Sequence, residues 1–253
     1  MIFRPYSPSS LVQYQHCPAF FKFKRTIPQT SPPTPAENVG KAFHRFQSQM
    51  AWERLSGRSD MNKIFIDASA GLTADEQKRL KSLVYHHNFQ YLLPAFDSSN
   101  RDIGIERKLA IDEEMNTCDF ESKTAYFRGI PDFFWVINSE KKAVLVDFKT
   151  GAENPMYFFQ IQCYSILLFA FYPALQEIET ILDFAGASYL AQDLVTRVKQ
   201  IEFFEKIRGM IGEIEHRMSL DDTKTGKHCD WCELKKNCRE WKKKHGFKFM
   251  GSI

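Results

Sequence analysis

Arg128-Gly129-Ile130-Pro131-Asp132 and Val144-Leu145-Val146-Asp147-Phe148-Lys149 are the two stretches that decide how this chain folds. Phe127 to Ile137 is rich in aromatic and β-branched residues, Asn138-Ser139-Glu140-Lys141-Lys142 is polar, and Ala143 to Phe148 is again strand-like, the pattern of a β-hairpin. A turn centred between Ser139 and Glu140 sets Asp132 opposite Asp147. Opposed residues share one face of a sheet, and the strand period of two puts Lys149 on that face as well. Two facing carboxylates repel unless one is protonated or a cation sits between them. The pattern therefore points to a divalent metal held by oxygen ligands.

The chain has 253 residues, 43% of them hydrophobic, enough to bury a substantial core in one domain spanning 1–253. A formal charge of +3 is too small to argue for a nucleic-acid partner by itself, so any such contact must come from a local basic patch. Met1 to Ser7 lacks an uninterrupted apolar stretch and a small-residue cleavage site, which predicts an intracellular, cytoplasmic protein. The six cysteines are then expected to be reduced, and clustered ones to bind a metal or cofactor.

Ser7-Pro8-Ser9-Ser10 offers helix caps for a short helix over Leu11 to Pro18. Phe20 to Arg25 interleaves aromatics with cations, which suits a DNA-facing surface or, more simply, a half-buried element with a solvated face. Gln29 to Pro35 is proline-rich and predicts an extended loop, after which Val39, Phe43, Phe46, Met50 and Leu55 mark a helix over Glu37 to Leu55, with His44 beside the stripe. In that helix Gly40 leaves room for close approach of another segment. Thr73-Ala74-Asp75-Glu76 opens a second long helix to Leu93, and its adjacent His86 and His87 read as structural or solvent-facing. Ile103 to Ile111 reads as one strand with Glu106 and Lys108 paired on one face, although Glu106 could also approach a metal.

Tyr157 to Leu168 is apolar nearly all round, and Pro155 and Pro173 bound it below the roughly 20 residues that span a bilayer, so it reads as a buried core helix rather than a membrane segment. Gln160 and Tyr164 share a face of it and need polar partners, which the hairpin or a nucleotide could supply. Cys163 belongs to the core and Cys118 has no partner at ligand spacing. One or two strands follow over Ile178 to Tyr189, then a helix over Val198 to Met218 with Ile201, Phe204, Ile207, Ile211 and Ile214 on its apolar face.

Near the end, Cys229, Cys232 and Cys238 supply three thiols at chelating spacing, and Cys17 would complete four; His228 or His16 is an alternative fourth ligand. Zinc and a [4Fe–4S] cluster both satisfy that count. The basic residues beyond, Arg239, Lys242, Lys243, Lys244 and Lys248, read as a nucleic-acid path or as a solvated tail.

The ordered set His44, Gly129-Ile130-Pro131-Asp132, Asp147-Phe148-Lys149 and Gln160-Ile161-Gln162-Cys163-Tyr164 resembles RecB-like nucleases of the PD-(D/E)xK superfamily. With Cys17 at one end and Cys229, Cys232 and Cys238 at the other, the chain resembles most the CRISPR-associated exonucleases of the Cas-four type; related four-cysteine domains occur in AddB-type helicase-nucleases. The resemblance implies an α/β fold with a restriction-endonuclease-like mixed β-sheet flanked by helices. Segments near 7–25 and 228–240 would be joined by a [4Fe–4S] cluster on Cys17, Cys229, Cys232 and Cys238, which it favours over zinc. It also implies Mg²⁺ or Mn²⁺ on His44, Asp132 and Asp147, with the Phe148 carbonyl as a further ligand. Lys149 would orient or activate water, and Gln160 and Tyr164 would position the strand or Lys149. Asp147 stands where the family often has Glu. The function implied is a metal-dependent DNA exonuclease at single-stranded ends, in recombination, repair or CRISPR spacer processing. A DNA-binding adaptor for a helicase or integrase and a structure-selective endonuclease are the alternatives.

Overall fold

The computed structural model describes residues 4–27, 32–58, 60–87, 89–96, 101–216, 221–230, 232–236 and 238–244. Its helices are α1 (Pro8–His16), α2 (Pro18–Thr26), α3 (Pro35–Leu55), α4 (Met61–Ser69), α5 (Ala74–His86), the single turn α6 (Leu93–Phe96) after a 3-10 turn (Phe89–Leu92), α7 (Pro155–Phe171), α8 (Arg197–His216) and α9 (Arg239–Lys244). The strands are β1 (Arg101–Ile105), β2 (Leu109–Ile111), β3 (Phe127–Gly129), β4 (Phe133–Ile137), β5 (Lys142–Lys149), β6 (Glu177–Phe184) and β7 (Tyr189–Thr196).

Five strands form one mixed sheet in the order β1-β4-β5-β6-β7, and β2 pairs with β3 apart from it. The hairpin forms in the anticipated register: Phe133 faces Val146 and Ile137 faces Lys142, so one further step sets Asp132 across from Asp147. β5 and β6 run parallel, which requires a crossover, and α7 supplies it. Alternation then assigns the two faces. Phe134, Val136, Ala143 and Leu145 join Leu11 and Tyr14 of α1, Ile166 and Leu167 of α7 and Ile207 of α8. Phe133, Trp135, Val144, Val146 and Phe148 join Phe43 and Phe46 of α3, Ile64 of α4 and Leu80 of α5. With both faces covered, β5 is buried from Ala143 to Phe148. Among the described residues no helix is long and apolar enough to cross a membrane.

Several sequence expectations shift. The strand expected over Phe127 to Ile137 breaks at Ile130–Asp132, because Pro131 has no N–H to give a ladder; β3 pairs with β2 and only β4 joins the hairpin. The strand expected over Ile103 to Ile111 breaks likewise at Glu106, whose backbone has a left-handed φ of 45°. Pro35 is not loop but the first residue of α3, since Thr34 and Glu37 form a reciprocal capping box worth about 1 kcal/mol; residues 28–31 of the expected loop lie outside the described residues. The helix begun at Thr73 stops at His86 rather than reaching Leu93, with Asn88 outside the described residues. The stretch over Phe20 to Arg25 is the half-buried helix α2, with Phe20 and Phe21 inside. Ile201 is not on the packed face of α8 but is 57% exposed, and Met218 lies outside the described residues. Helix α4 was not foreseen.

The N-terminus is tied to this core. Tyr6 bridges Phe127 beside β3, and the Arg4 guanidinium grips the Glu215 carboxylate of α8 with Nε and Nη2 at 2.7 and 3.0 Å while Nη1 reaches Glu113 at 2.8 Å. The Arg4 hydrogen bond holds the Glu215 carboxyl below its ordinary range. A depressed folded value contributes stability above the unfolded glutamate pKa of about 4.3 and loses it as pH falls through the lower folded value. Arg4→Ala is therefore expected to cost about 1 kcal/mol or less at neutral pH, with the difference from the parent closing below about pH 4 in urea denaturation.

Close packing of α7 on β3 rests on Gly129. A Cβ built there would meet Tyr164 Cε1 at 2.7 Å and Leu167 Cδ1 at 3.0 Å. Both belong to a buried helix that cannot swing away. Gly129→Ala is expected to destabilise by about 1–3 kcal/mol, and a denaturation midpoint equal to the parent's would contradict that packing.

Candidate functional site

The C-terminal end of β5 delivers Asp147 and Lys149 to the α7 face, and the chain entering β4 delivers Asp132 beside them. Lys149 Nζ pairs with Asp147 Oδ2, which receives no other donor among the described residues. Asp132 Oδ2 accepts from the Phe148 N–H at 2.8 Å, and its Oδ1 lies 3.0 Å from His44 Nδ1, which reaches in from α3. On the other side, Lys149 Nζ donates to Gln160 Oε1 at 3.0 Å, and Gln160 Nε2 donates to the Tyr164 hydroxyl at 3.3 Å. The Tyr157 ring lies 4.6 Å from Lys149 Nζ, a cation–π contact one turn before Gln160. The five expected catalytic residues thus fall into two short lines of contacts, His44–Asp132 and Asp147–Lys149–Gln160–Tyr164, set side by side where Phe148 gives its N–H to Asp132.

Burial sets the electrostatics. It pushes the Asp147 carboxyl up to about 6, with Asp132 adding to the rise while Lys149 and His44 oppose it. For His44 burial acts downward, but the neighbouring Asp132 and then Asp147 outweigh it and hold the imidazole above its ordinary value. Burial drives the Tyr164 phenol far up, so it stays protonated.

Glu106, which the sequence suggested as an ordinary ion pair with Lys108, belongs to this site instead. The break after β1 turns it toward Asp132, whose carbonyl accepts the Glu106 N–H at 3.0 Å. Its carboxyl is raised by burial first and by Asp132 next. Lys108 goes elsewhere, over the Phe120 ring at 5.2 Å. Glu106, His44, Asp132 and Phe148 line one narrow cleft. Only a strand break in the sequence could have signalled this, and no Gly or Pro marks it.

Carboxylate oxygens are the donors that Mg²⁺ and Mn²⁺ take, and an added imidazole nitrogen suits the transition-metal side of that pair. Excess acid over base, with Asp147 and Glu106 both raised, is the condition a divalent cation relieves, so the residues fit one. Gly40, as expected, marks a close approach: a Cβ there would lie 3.4 Å from Thr150 just past β5, so α3 and β5 meet beside His44.

The cysteines form a second neighbourhood. Cys17 sits between α1 and α2, where Lys224 N–H donates to its Sγ at 3.5 Å, and Gly226 N–H donates to Cys229 Sγ at 3.4 Å. Cys17, Phe20 and Cys232 share a small apolar cluster. Burial raises the Cys232 thiol, and Cys17, Cys229 and Cys238 each add to that rise from nearby. The His16 and His228 rings lie 5.2 Å apart at the same place. Further contacts hold the ends together: Ala19 N–H to the Asp222 carbonyl at 3.0 Å and Lys22 to Asp221 at 2.7 Å. Trp231 and Asn237 between the cysteines, and Lys248 of the basic tail, lie outside the described residues. Cys163 is buried in α7, as expected. Among the described residues no three His, Cys, Asp or Glu side chains stand placed to hold a metal ion, so the acids and the thiols are each gathered without forming a finished ligand shell.

Between these neighbourhoods runs a groove of about 760 Å³, lined by His16, Lys24, Lys41, Tyr157, Gln160 and Glu233 among others.

The crystal structure of SSO0001 is similar at 10% sequence identity, over 92% of this chain and 96% of that one, with a TM-score of 0.35. No curated protein matches the sequence. The family description "PD-(D/E)XK nuclease superfamily" matches residues 5–239, nearly the whole chain, and the five-stranded mixed sheet flanked by helices agrees with that fold. The chain therefore belongs to the PD-(D/E)XK nuclease superfamily, whose members hydrolyse nucleic-acid phosphodiester bonds with the help of a metal.

Proposed function

We propose that the protein is a RecB-like, Mg²⁺- or Mn²⁺-dependent DNA exonuclease acting at single-stranded ends, in recombination, repair or CRISPR spacer processing, with a helicase or integrase as its partner in the cell. The observation that carries the reading is the pair of contact lines His44–Asp132 and Asp147–Lys149–Gln160–Tyr164 at one end of the sheet. His44, Asp132 and Asp147 hold the divalent cation, with the Phe148 carbonyl as a further ligand. When bound, that cation supplies Lewis acidity and lowers the pKa of coordinated water. The Phe148 N–H keeps Asp132 from rotating. Lys149 stabilises the charge that develops on the phosphate, and Gln160, itself held by Tyr164, aims its ammonium. The groove beyond Gln160 gives a strand a route to the centre.

Cys17, Cys229, Cys232 and Cys238 hold a [4Fe–4S] cluster in this reading, with zinc as the alternative occupant. The cluster is structural: it clamps the segments near 7–25 and 228–240. Backbone N–H groups of Lys224 and Gly226 donate to two of the sulfurs, outer hydrogen bonds of the kind that orient metal ligands.

The test of the reaction uses purified protein with Mg²⁺ or Mn²⁺ on end-labelled linear and closed circular single strands. Cleavage of the linear strand alone is expected; cleavage of circles overturns the exonuclease assignment, and binding without cleavage points to an adaptor. Asp147→Ala and Lys149→Ala should each lower cleavage by about 10²-fold or more while the circular-dichroism spectrum is retained. Cys232→Ala should lose iron and stability together. Anaerobically purified parent protein that is colourless and carries zinc without iron by elemental analysis sinks the iron–sulfur assignment.

A further inference from the structure

On the face of the sheet turned away from Lys149, three polar side chains meet inside the apolar core. His87, just past α5, donates from Nε2 to Asp183 Oδ2, and the Tyr91 hydroxyl donates to the same oxygen. Asp183 is 2% exposed and His87 7%. A carboxylate at that depth is tolerable only when donors surround it, and both of these donors come from the short segment between α5 and α6. Burial and then Asp183 drive the Tyr91 phenol far up, which keeps it a donor.

The position of this cluster matters more than its presence. Asp183 is the partner of Phe148 in the parallel β5–β6 ladder. The His87 ring stands edge-on to Phe148 at 5.9 Å and to Phe43 at 5.7 Å. Phe148 follows Asp147 in the chain and gives its N–H to Asp132; Phe43 precedes His44. One imidazole therefore abuts two of the aromatic neighbours of the acid–imidazole set, Phe43 and Phe148, from behind. Apolar side chains of equal volume would fill that space at no loss of stability. Hydrogen bonds to Asp183 add what apolar packing lacks, a fixed orientation of the His87 ring, and hence of the two rings it touches.

We propose that His87, Asp183 and Tyr91 form a positioning network that holds Phe43 and Phe148, and through them His44, Asp132 and Asp147, in the arrangement that takes up the divalent cation. The inference rests on the nuclease reading of that site. It concerns this chain's own residues behind the acids, and none of the three touches the substrate or the reacting atoms.

The test measures Mn²⁺ binding by electron paramagnetic resonance of the free ion, with kcat and KM on a single-stranded oligonucleotide and a melting temperature for each protein. Asp183→Asn is expected to weaken Mn²⁺ binding by about 10- to 100-fold, the usual effect of disturbing residues that orient metal ligands. It should lower kcat with KM for the strand unchanged, and excess Mn²⁺ should restore much of the rate. Tyr91→Phe, which keeps the ring and the His87 bond, should shift Mn²⁺ binding the same way by less, and it decides the matter if Asp183→Asn does not fold. Parent-like Mn²⁺ binding and kcat in a folded variant, with only the melting temperature lowered, overturns the proposal. Should the parent itself neither bind Mn²⁺ nor cleave, the nuclease reading fails first and the inference falls with it, a result distinct from parent-like behaviour of the variants.

Discussion

A carboxylate buried at the end of a central strand is the constraint on which the rest of this molecule turns. Asp147 is 2% exposed, with the half-buried Asp132 and the more exposed Glu106 close by. Lys149 on the same face supplies one counter-charge, and His44, held above its ordinary pKa, supplies part of another. Burial first, and then the neighbouring Asp132, make both Asp147 and Glu106 resist ionisation. In the proposed reading a divalent cation beside Asp147 gives that otherwise unfavourable arrangement its use.

Each layer of the fold then has a definable duty toward that end of β5. Helix α3, on one face, brings His44 to Asp132; helix α7, on the other, brings Gln160 and Tyr164 to Lys149. The crossover that makes β5 and β6 parallel is α7 itself, so the topology that closes the sheet also delivers the polar pair. Gly129 lets α7 settle against β3 with Tyr164 and Leu167 in close contact there. The site is therefore assembled from both faces of one sheet, at the edge where the faces meet.

Much of this was legible in the sequence, for reasons that differ by residue. The hairpin register followed from a polar turn between two β-branched runs, and register fixes faces, so the placement of Asp132, Asp147 and Lys149 came with it. Gln160 and Tyr164 were legible because a polar pair at helical spacing in an apolar helix must find partners. Glu106 was not, because a strand with a break and a strand without one have the same alternation, and the positive φ that turns Glu106 leaves no glycine as its mark. His87 is structural, one of the two readings offered for it, but its partner was not legible: Asp183 is 96 residues away, and no local pattern encodes a contact at that separation. Pro131 carried a readable signal, the missing N–H, that ends β3 and frees Asp132 from the ladder, yet the aromatic and β-branched composition around it favours an unbroken strand. The approach of Cys17 to the C-terminal cysteines was legible in part. Count and spacing suggested it, whereas the backbone donors to the sulfurs depend on how residues 224 and 226 fold.

The two neighbourhoods are also mechanically joined. Cys17 is the hinge residue between α1 and α2, and α1 packs Leu11 and Tyr14 into the core that α7 shares. The C-terminal segment holds α2 through Ala19 and Lys22, while Lys24 of α2 pairs with Glu233 at 2.5 Å, and both line the groove that Gln160 also lines. A change at the cysteines thus reaches one wall of the groove and, by way of α1, the seat of α7. The tie at the chain ends need not touch a phosphate to matter for cleavage, because it fixes the elements that present Lys149 with its partner.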